Sequence, residues 1–379
     1  MRPTRRITLA QLCTHAVARS LFSPTTLPAA FRRMGFVQAD PIRAPARAQD
    51  LILRQRVRDY RDGDLERRYP RLQVEEEVLH NYGFLQRDLQ PLLHPRVLKA
   101  RTRIERSHPH LSNAVLEFVR GNGPTHPRDL DADHGVASVT NYWGGSSSAA
   151  THMLDGLHYR GALRVVRRLG GIRVYALADH LPTEPDPPPI GEEKVRRLIA
   201  LLTALYAPLP ESSLRQLLMM LRYGAPHHER HWRNHRATIA RAVDAGDLVR
   251  LVVDGGDWIM PANERLTESI ADKVRLLAPF DPVVWDRRRF ELFWGWRYRF
   301  EAYTPPAKRV LGYYALPLLW RDQVIGWANV ASDERGLHAE LGLVGSKPGG
   351  RIFQREVETE LEAMAGFMGV DGVAGLRWR

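Results

Sequence analysis

The chain has 379 residues, enough for several domains that each bury a core. Its formal charge of +12 is carried largely by arginines spread along the chain, which points to a long phosphate-binding surface and makes nucleic acid the first expected partner. A single cysteine, Cys13, excludes an internal disulfide and a multi-cysteine zinc site. The N-terminus lacks a signal-peptide apolar stretch and no apolar run approaches about eighteen residues, so a cytoplasmic, nucleoid-associated chain with no membrane partner is expected.

In chain order, LAQLCTHAVARSLF and TTLPAAFRRM read as helices, with Cys13 a small apolar residue in the first. The second stops at Gly35, and the apolar GFVQAD then reads as a strand. Side chains alternate on an extended segment, so Gln38 and Asp40 are expected on one face and Ala39 on the other. Pro41 and Pro45 prevent an ordinary hairpin here. Arg43, Arg47, Arg54 and Arg56 follow, either lining a DNA path beside the pair or forming a solvated face with salt-bridge partners, and a helix would bring Arg43 and Arg47 together. From RDYRDGDLERR to LQPLL the pattern is mixed helix and loop, and LKARTRIERSH reads as a bracing helix.

LSNAVLEFVRGNG, PTHPRDL and SSSAATHMLDGL read as three helices, with Pro124 and Pro127 near the start of the second. In WGGSSSAATHML, Ser146 and Ser147 are expected at a helix N-terminus, either binding phosphate or only capping. GALRVVRR and IRVYAL form a hairpin around Gly170 and Gly171, which completes a winged helix. Beyond the proline-rich linker LPTEPDPPPIGEE the same order returns: EEKVRRLIALLTALY, ESSLRQLLMMLRYG, HRATIARAVDAG, then LVRLVV and DWIM around Gly255 and Gly256. Gly161 to Gly170 and Gly246 to Gly255 span the same interval, so the two hairpins repeat one plan. His227, His231 and His235 in HHERHWRNH recur every four residues. They lack the H-E-x-x-H order and evident carboxylate or cysteine partners, so a solvated helix face or phosphate contacts are expected rather than a metal.

From about residue 270 strands dominate, in RYRFEAYTP, GYYALPLLWRDQVIGWANV and GLHAELGLV, before the helix RIFQREVETELEAMAGFMG. WDRRRFELFWGWRYRF interleaves arginines with aromatics, as a strand core or a base-stacking platform does, with Arg287, Arg288 and Arg289 as candidate DNA contacts. The plan is α+β: winged-helix units at 1–105, 106–185 and 190–265, then a β-barrel-like domain with a terminal helix at 270–379.

Together these segments resemble the bacterial winged-helix DNA glycosylases of the AlkZ and YcaQ type. The resemblance rests on MGFVQADPI, GALRVVRRLGGIRVYAL and LLAPFDPVVWDRRRFELFWGWRYRFEAYTPPAKRVLGYYALPLL. It implies tandem winged helices around a DNA channel and a monofunctional glycosylase without metal or organic cofactor. Its substrate would be duplex DNA with N7-alkylated or crosslinked purines. Gln38, Ala39 and Asp40 match the family's catalytic pattern of Gln, an apolar residue, then Gln or Asp, in the Asp form. One departure is NYGFLQRDLQP, where Asn81, Gly83 and Leu85 replace acidic, tryptophan and histidine positions, and it bears on lesion preference.

Alkylation at N7 makes a purine a neutral leaving group, so the remaining demand is an oxocarbenium-like sugar and a directed water. A carboxylate serves both needs, which assigns Asp40 as base and electrostatic stabiliser. Gln38 donates and accepts hydrogen bonds without charge, which suits it to positioning the water or sugar. No lysine neighbours the pair, so no Schiff-base lyase step is expected. A crosslinked base is tied to the opposite strand, so an open channel with the pair at its floor is expected rather than an enclosed base pocket. Two non-catalytic readings stand beside this one: a tandem winged-helix transcription regulator, and a damage binder without activity. In both, Asp40-Pro41 is an ordinary turn. A monomer is the default.

Overall fold

A computed structural model describes residues 7–97, 103–134, 138–140, 146–184, 187–267 and 269–379. The fold is mixed α/β, and the chain divides into two compact units. Met1–Asp64, Ile199–Leu217 and His235–Arg379 form the first; Leu65–Leu198 and Leu218–Asn234 form the second. Neither unit is one continuous stretch, so the division cuts across the four sequential segments read above.

In the first unit, helix α1 (Leu9–Ser20) begins with a reciprocal capping box between Thr8 and Gln11. Its inward residues Leu12, Ala16 and Val17 are buried. Helix α2 (Leu27–Met34) is capped by Thr26 and ends at Gly35, whose φ of 72° turns the chain into strand β1 (Phe36–Gln38). Helix α3 (Ala48–Arg54) follows with no hairpin between. The same unit holds the hairpin Leu248–Val253 and Gly256–Pro261, joined on its outer side by Leu209–Pro210.

The C-terminal strands form an open sheet rather than a barrel. Their order is Val274–Leu276, Leu316–Trp320, Gln323–Asp333, Gly336–Leu343 and Val373–Trp378, so the first and last strands lie at opposite edges. The last strand, absent from the sequence expectation, adds in parallel beside Gly336–Leu343. Helix Arg351–Met368 buries Phe353, Val357, Leu361 and Met364 in this part of the unit.

Two further expectations change here. RYRFEAYTP is irregular chain, fixed by polar contacts: the Tyr298 hydroxyl donates to Ala315 O at 2.7 Å, and the Glu301 carboxylate accepts the amides of Val310 and Leu311 at 2.9 and 2.8 Å. RRRFELFW is a helix, Arg287–Trp294, because Asp286 caps the amides of Arg288 and Arg289 and Gly295 closes the end in the left-handed region. Phe290 joins Val17, Leu21, Val284, Tyr298 and Leu319 in the core.

In the second unit, helices Leu111–Asn122, Pro127–His134 and Ala149–Arg160 precede the hairpin Leu163–Leu169 and Ile172–Leu177. Thr125, between the first two helices, exchanges backbone hydrogen bonds with Tyr175 on the hairpin at 2.7 and 2.9 Å. Ser146–Ser148 is a strand paired with Ser138–Thr140, and the helix starts only at Ala149. Ser146 and Ser147 therefore lie on a strand, and Ser148 directly precedes the helix; Trp143, Gly144 and Gly145 of that motif lie outside the described residues. In LKARTRIERSH, residues 98–102 also lie outside them, and the described helix is Arg103–Ser107.

The stretch expected as mixed helix and loop contains an antiparallel hairpin, β2 (Val74–Val78) and β3 (Tyr82–Gln86). Its three consecutive glutamates are all buried: Glu75 and Glu77 are 0 % exposed and Glu76 1 %. Each has cationic partners. Glu75 accepts from Arg87 at 2.6 Å and Arg164 at 2.7 Å, and Glu76 from Arg168 at 2.7 Å and Arg173 at 3.0 Å. Glu77 accepts from Arg96 at 2.8 Å and lies 2.9 Å from His94 Nε2. Leu85 and Gly83, two of the departures from the family pattern, are buried on β3.

The HHERHWRNH segment is not one helix. Pro226–His228 is a 3-10 turn, Glu229–Arg233 a short helix, and His235 opens another in the first unit, so the histidines do not share a face. Among the described residues no group of three or more His, Cys, Asp or Glu is arranged to hold a metal, and no helix is long and apolar enough to cross a membrane.

Candidate active site

The turn at Gly35 delivers β1 with Gln38 as its last residue, 9 % exposed. Gln38 Oε1 accepts the indole N–H of Trp285 at 2.9 Å. That indole also packs against the Tyr206 ring, with centroids 4.9 Å apart. The side-chain amide is therefore held in one orientation.

Asp40 lies beyond the strand end in a loop, and is half-buried together with Ala39, so burial does not alternate across the pair as an extended segment would have it. Asp40 Oδ1 accepts the Ile42 amide at 2.9 Å, the Asx turn that an Asp before proline favours. Its own amide donates to Gln49 Oε1 at 3.4 Å, which ties the loop to the first turn of α3. The turn and the polar pair thus coexist in one segment.

Burial raises the Asp40 carboxyl above its ordinary range, and the Ile42 amide offsets this only in part; among the described residues no guanidinium or ammonium counters it. The buried Tyr314 phenol, pushed up first by its own burial, also feels the Asp40 charge. Its ring packs edge-on to Phe300 at 5.2 Å, and its hydroxyl has no hydrogen-bond partner among the described residues. Asp50, on α3 beside Gln49, is pushed up to about 6 by burial, against the hydrogen bond that it accepts from the Tyr60 hydroxyl at 2.7 Å.

The arginines expected along a DNA path have different fates. Arg43 is exposed and paired with Asp62. Arg47 is the residue before α3, half-buried, and no helix joins it to Arg43. Arg54 is buried against Glu360, with its guanidinium 5.7 Å from the Phe367 ring centroid. Arg287 donates to the carbonyls of Val284 and Pro279 at 2.5 and 2.8 Å and lies over the Tyr298 ring, whereas Arg288 is exposed. Arg289 is fully buried and donates to the carbonyls of Pro282 and Val283 at 2.5 and 3.0 Å. Arg54, Arg287 and Arg289 therefore fix the fold. Ser146 and Ser147 belong to the other unit.

Sequence reading missed Trp285, Gln49 and Tyr314. Trp285 stood inside PFDPVVWDRRRF, where the arginines drew attention. Gln49 and Tyr314 carried no local signal, because only the folded chain sets them beside the pair.

Two comparisons bear on this site. The solved structure of the Streptomyces sahachiroi DNA glycosylase AlkZ is similar over 99% of this chain and 100% of that one, with a TM-score of 0.63 at 14% identity, a likeness of fold. The family model for AlkZ-like DNA glycosylases matches residues 31–367, which contain Gln38, Asp40 and Trp285. The chain belongs to the AlkZ-like DNA glycosylase family.

Proposed function

We propose that this protein is a monofunctional DNA glycosylase of the Gln-x-Asp form, hydrolysing the N-glycosidic bond of N7-alkylated purines and unhooking interstrand crosslinks through such bases. The reading is supported most by one observation: Asp40 is a half-buried carboxylate with a raised proton affinity and, among the described residues, no cation that offsets it. That is the environment of a general base. The alkylated purine is already cationic and departs neutral as its bond to C1′ breaks. Asp40 stabilises the positive charge left on the sugar and accepts a proton from the water that attacks C1′. Gln38, fixed by Trp285, orients that water or the sugar. The products are a free base and an abasic site. The chemistry needs the ionised carboxylate, so activity falls as pH drops toward the raised Asp40 value. Arg43, Arg47, Ser146 and Ser147, on winged-helix units, and Arg288, in the C-terminal domain, are the proposed DNA contacts of a monomer.

The test is alkali-induced strand cleavage of duplex DNA carrying one N7-methylguanine. Wild type should exceed spontaneous depurination, and Asp40→Asn should lose about 10²-fold or more. No cleavage of this lesion or of a nitrogen-mustard crosslink, with DNA binding retained, would overturn the reading in favour of a transcription regulator or damage binder.

A further inference from the structure

Between residues of α1, α2 and the stretch 264–267, the first unit holds a cavity. Its volume of about 420 Å³ falls within the usual span of ligand sites, roughly 300–1,000 Å³. Arg19, Arg33, Arg265, His15, Glu264 and Phe22 are among its lining residues. It takes no part in the chemistry above.

The charges around it do not balance. Among the described residues of the lining Glu264 is the carboxylate, and it is already engaged: Arg19 donates to both its oxygens, at 2.8 and 2.5 Å. The His15 ring accepts the Thr267 amide on Nδ1 at 3.1 Å, which leaves the proton on Nε2, 3.4 Å from Glu264. Burial alone would raise Glu264, but His15 and Arg19 outweigh it and hold it down at about 2, so it stays ionised and paired. Arg33 and Arg265 have no carboxylate within ion-pair distance among the described residues. Arg33 is not free to swing away, since its guanidinium rests 4.1 Å from the Phe22 ring centroid. Partial burial, and next the charge of Arg19, weaken its hold on its own proton. With three arginines against one glutamate, the described residues of the lining are short of negative charge, and guanidinium forks match the oxygens of a phosphate group.

We propose that this cavity is a phosphate-binding site in which Arg33 and Arg265 grip the oxygens of a phosphate ester while Arg19, locked by Glu264, supplies fixed positive charge. The ester comes either from the DNA backbone or from a free nucleotide. Met34, also in the lining, and Gly35 lead directly from Arg33 into β1, so an occupied site would brace the strand that carries Gln38.

The experiment is calorimetric titration of the full chain with inorganic phosphate, 5′-dGMP, deoxyguanosine and an undamaged duplex, for wild type, Arg265→Gln and Arg33→Gln/Arg265→Gln. Phosphate and 5′-dGMP should bind where deoxyguanosine does not, and the double variant should weaken 5′-dGMP about tenfold or more, as loss of charge-assisted hydrogen bonds does. Duplex that displaces 5′-dGMP identifies the backbone as the source of the phosphate; 5′-dGMP binding that duplex leaves untouched identifies a free ester. Arg265 is exposed and supports no other side chain, so Arg265→Gln keeps the test valid if the double variant fails to fold. Affinity for phosphate and 5′-dGMP that is absent, or that is equal in wild type and variants, overturns the site. No lesion is present in any titration, so this outcome leaves the glycosylase assignment standing, and loss of that assignment leaves the site standing.

Discussion

Among the acidic side chains that leave the solvent, those of two regions meet opposite results. On β2, three successive glutamates are buried completely, yet each meets an arginine. Burial alone would raise Glu77, but Arg96 and the hydrogen bond with His94 outweigh it and hold its carboxyl well below the usual range. In the loop after β1, Asp40 is only half-buried but meets a single amide, and its proton affinity rises. Depth of burial therefore does not decide the state of a carboxylate here; the company of a cation does. The first arrangement serves the fold, and the second leaves a carboxylate with chemistry to perform.

Three substitutions sharpen or break this contrast. Glu77→Gln carries the largest expected effect, because it leaves Arg96 buried beside a neutral amide. A loss of about 3–5 kcal/mol is expected, read as an earlier denaturant midpoint. Since the folded value of Glu77 is depressed, its contribution is present above the unfolded value near 4.5 and disappears as pH falls toward the folded one. An unchanged midpoint would show that the arginines do not depend on it.

Trp285→Phe removes the indole N–H from Gln38 while keeping a ring against Tyr206. Glycosylase turnover should fall about tenfold with stability reduced by no more than about 1 kcal/mol, in line with one lost hydrogen bond. Equal activity would detach Gln38 orientation from catalysis. The smallest effect is on the stability of Asp40→Asn. Because the folded pKa of Asp40 is raised, the aspartate favours the fold when protonated and that benefit is lost as pH rises past the folded value. The neutral amide should therefore stabilise the fold at neutral pH, by about 0.5 kcal/mol, while activity collapses. Thermal melts at pH 7.5 decide it, and a destabilised Asp40→Asn would contradict the contrast.

Much of the frame was legible because glycine marks where helices become strands. Gly35, Gly161 and Gly246 all adopt positive φ at the expected handovers, and both later hairpins follow. The β2–β3 hairpin was not legible: EEE shows no alternation of polarity, and only arginines as distant as Arg164, Arg168 and Arg173 make its burial tolerable. RRRFELFW held an Asp before it and a Gly after it, the ordinary bounds of a helix, but its aromatic richness favoured a strand. Gln38 and Asp40 stood out as a pair, whereas the partners that orient them come from remote segments. The C-terminal barrel failed because pairing between first and last strands leaves no trace in local pattern.

The Arg56–Asp281 pair limits how the molecule can be cut. Both side chains are 0 % exposed, and they meet through two hydrogen bonds of 2.7 and 2.9 Å. They come from the first and last of the three chain segments that make up one unit. A protease nick in an exposed intervening loop would leave the halves associated. Fragments made separately at the apparent sequence boundaries would each carry an unmatched buried charge, which costs each of them stability that the joined chain keeps.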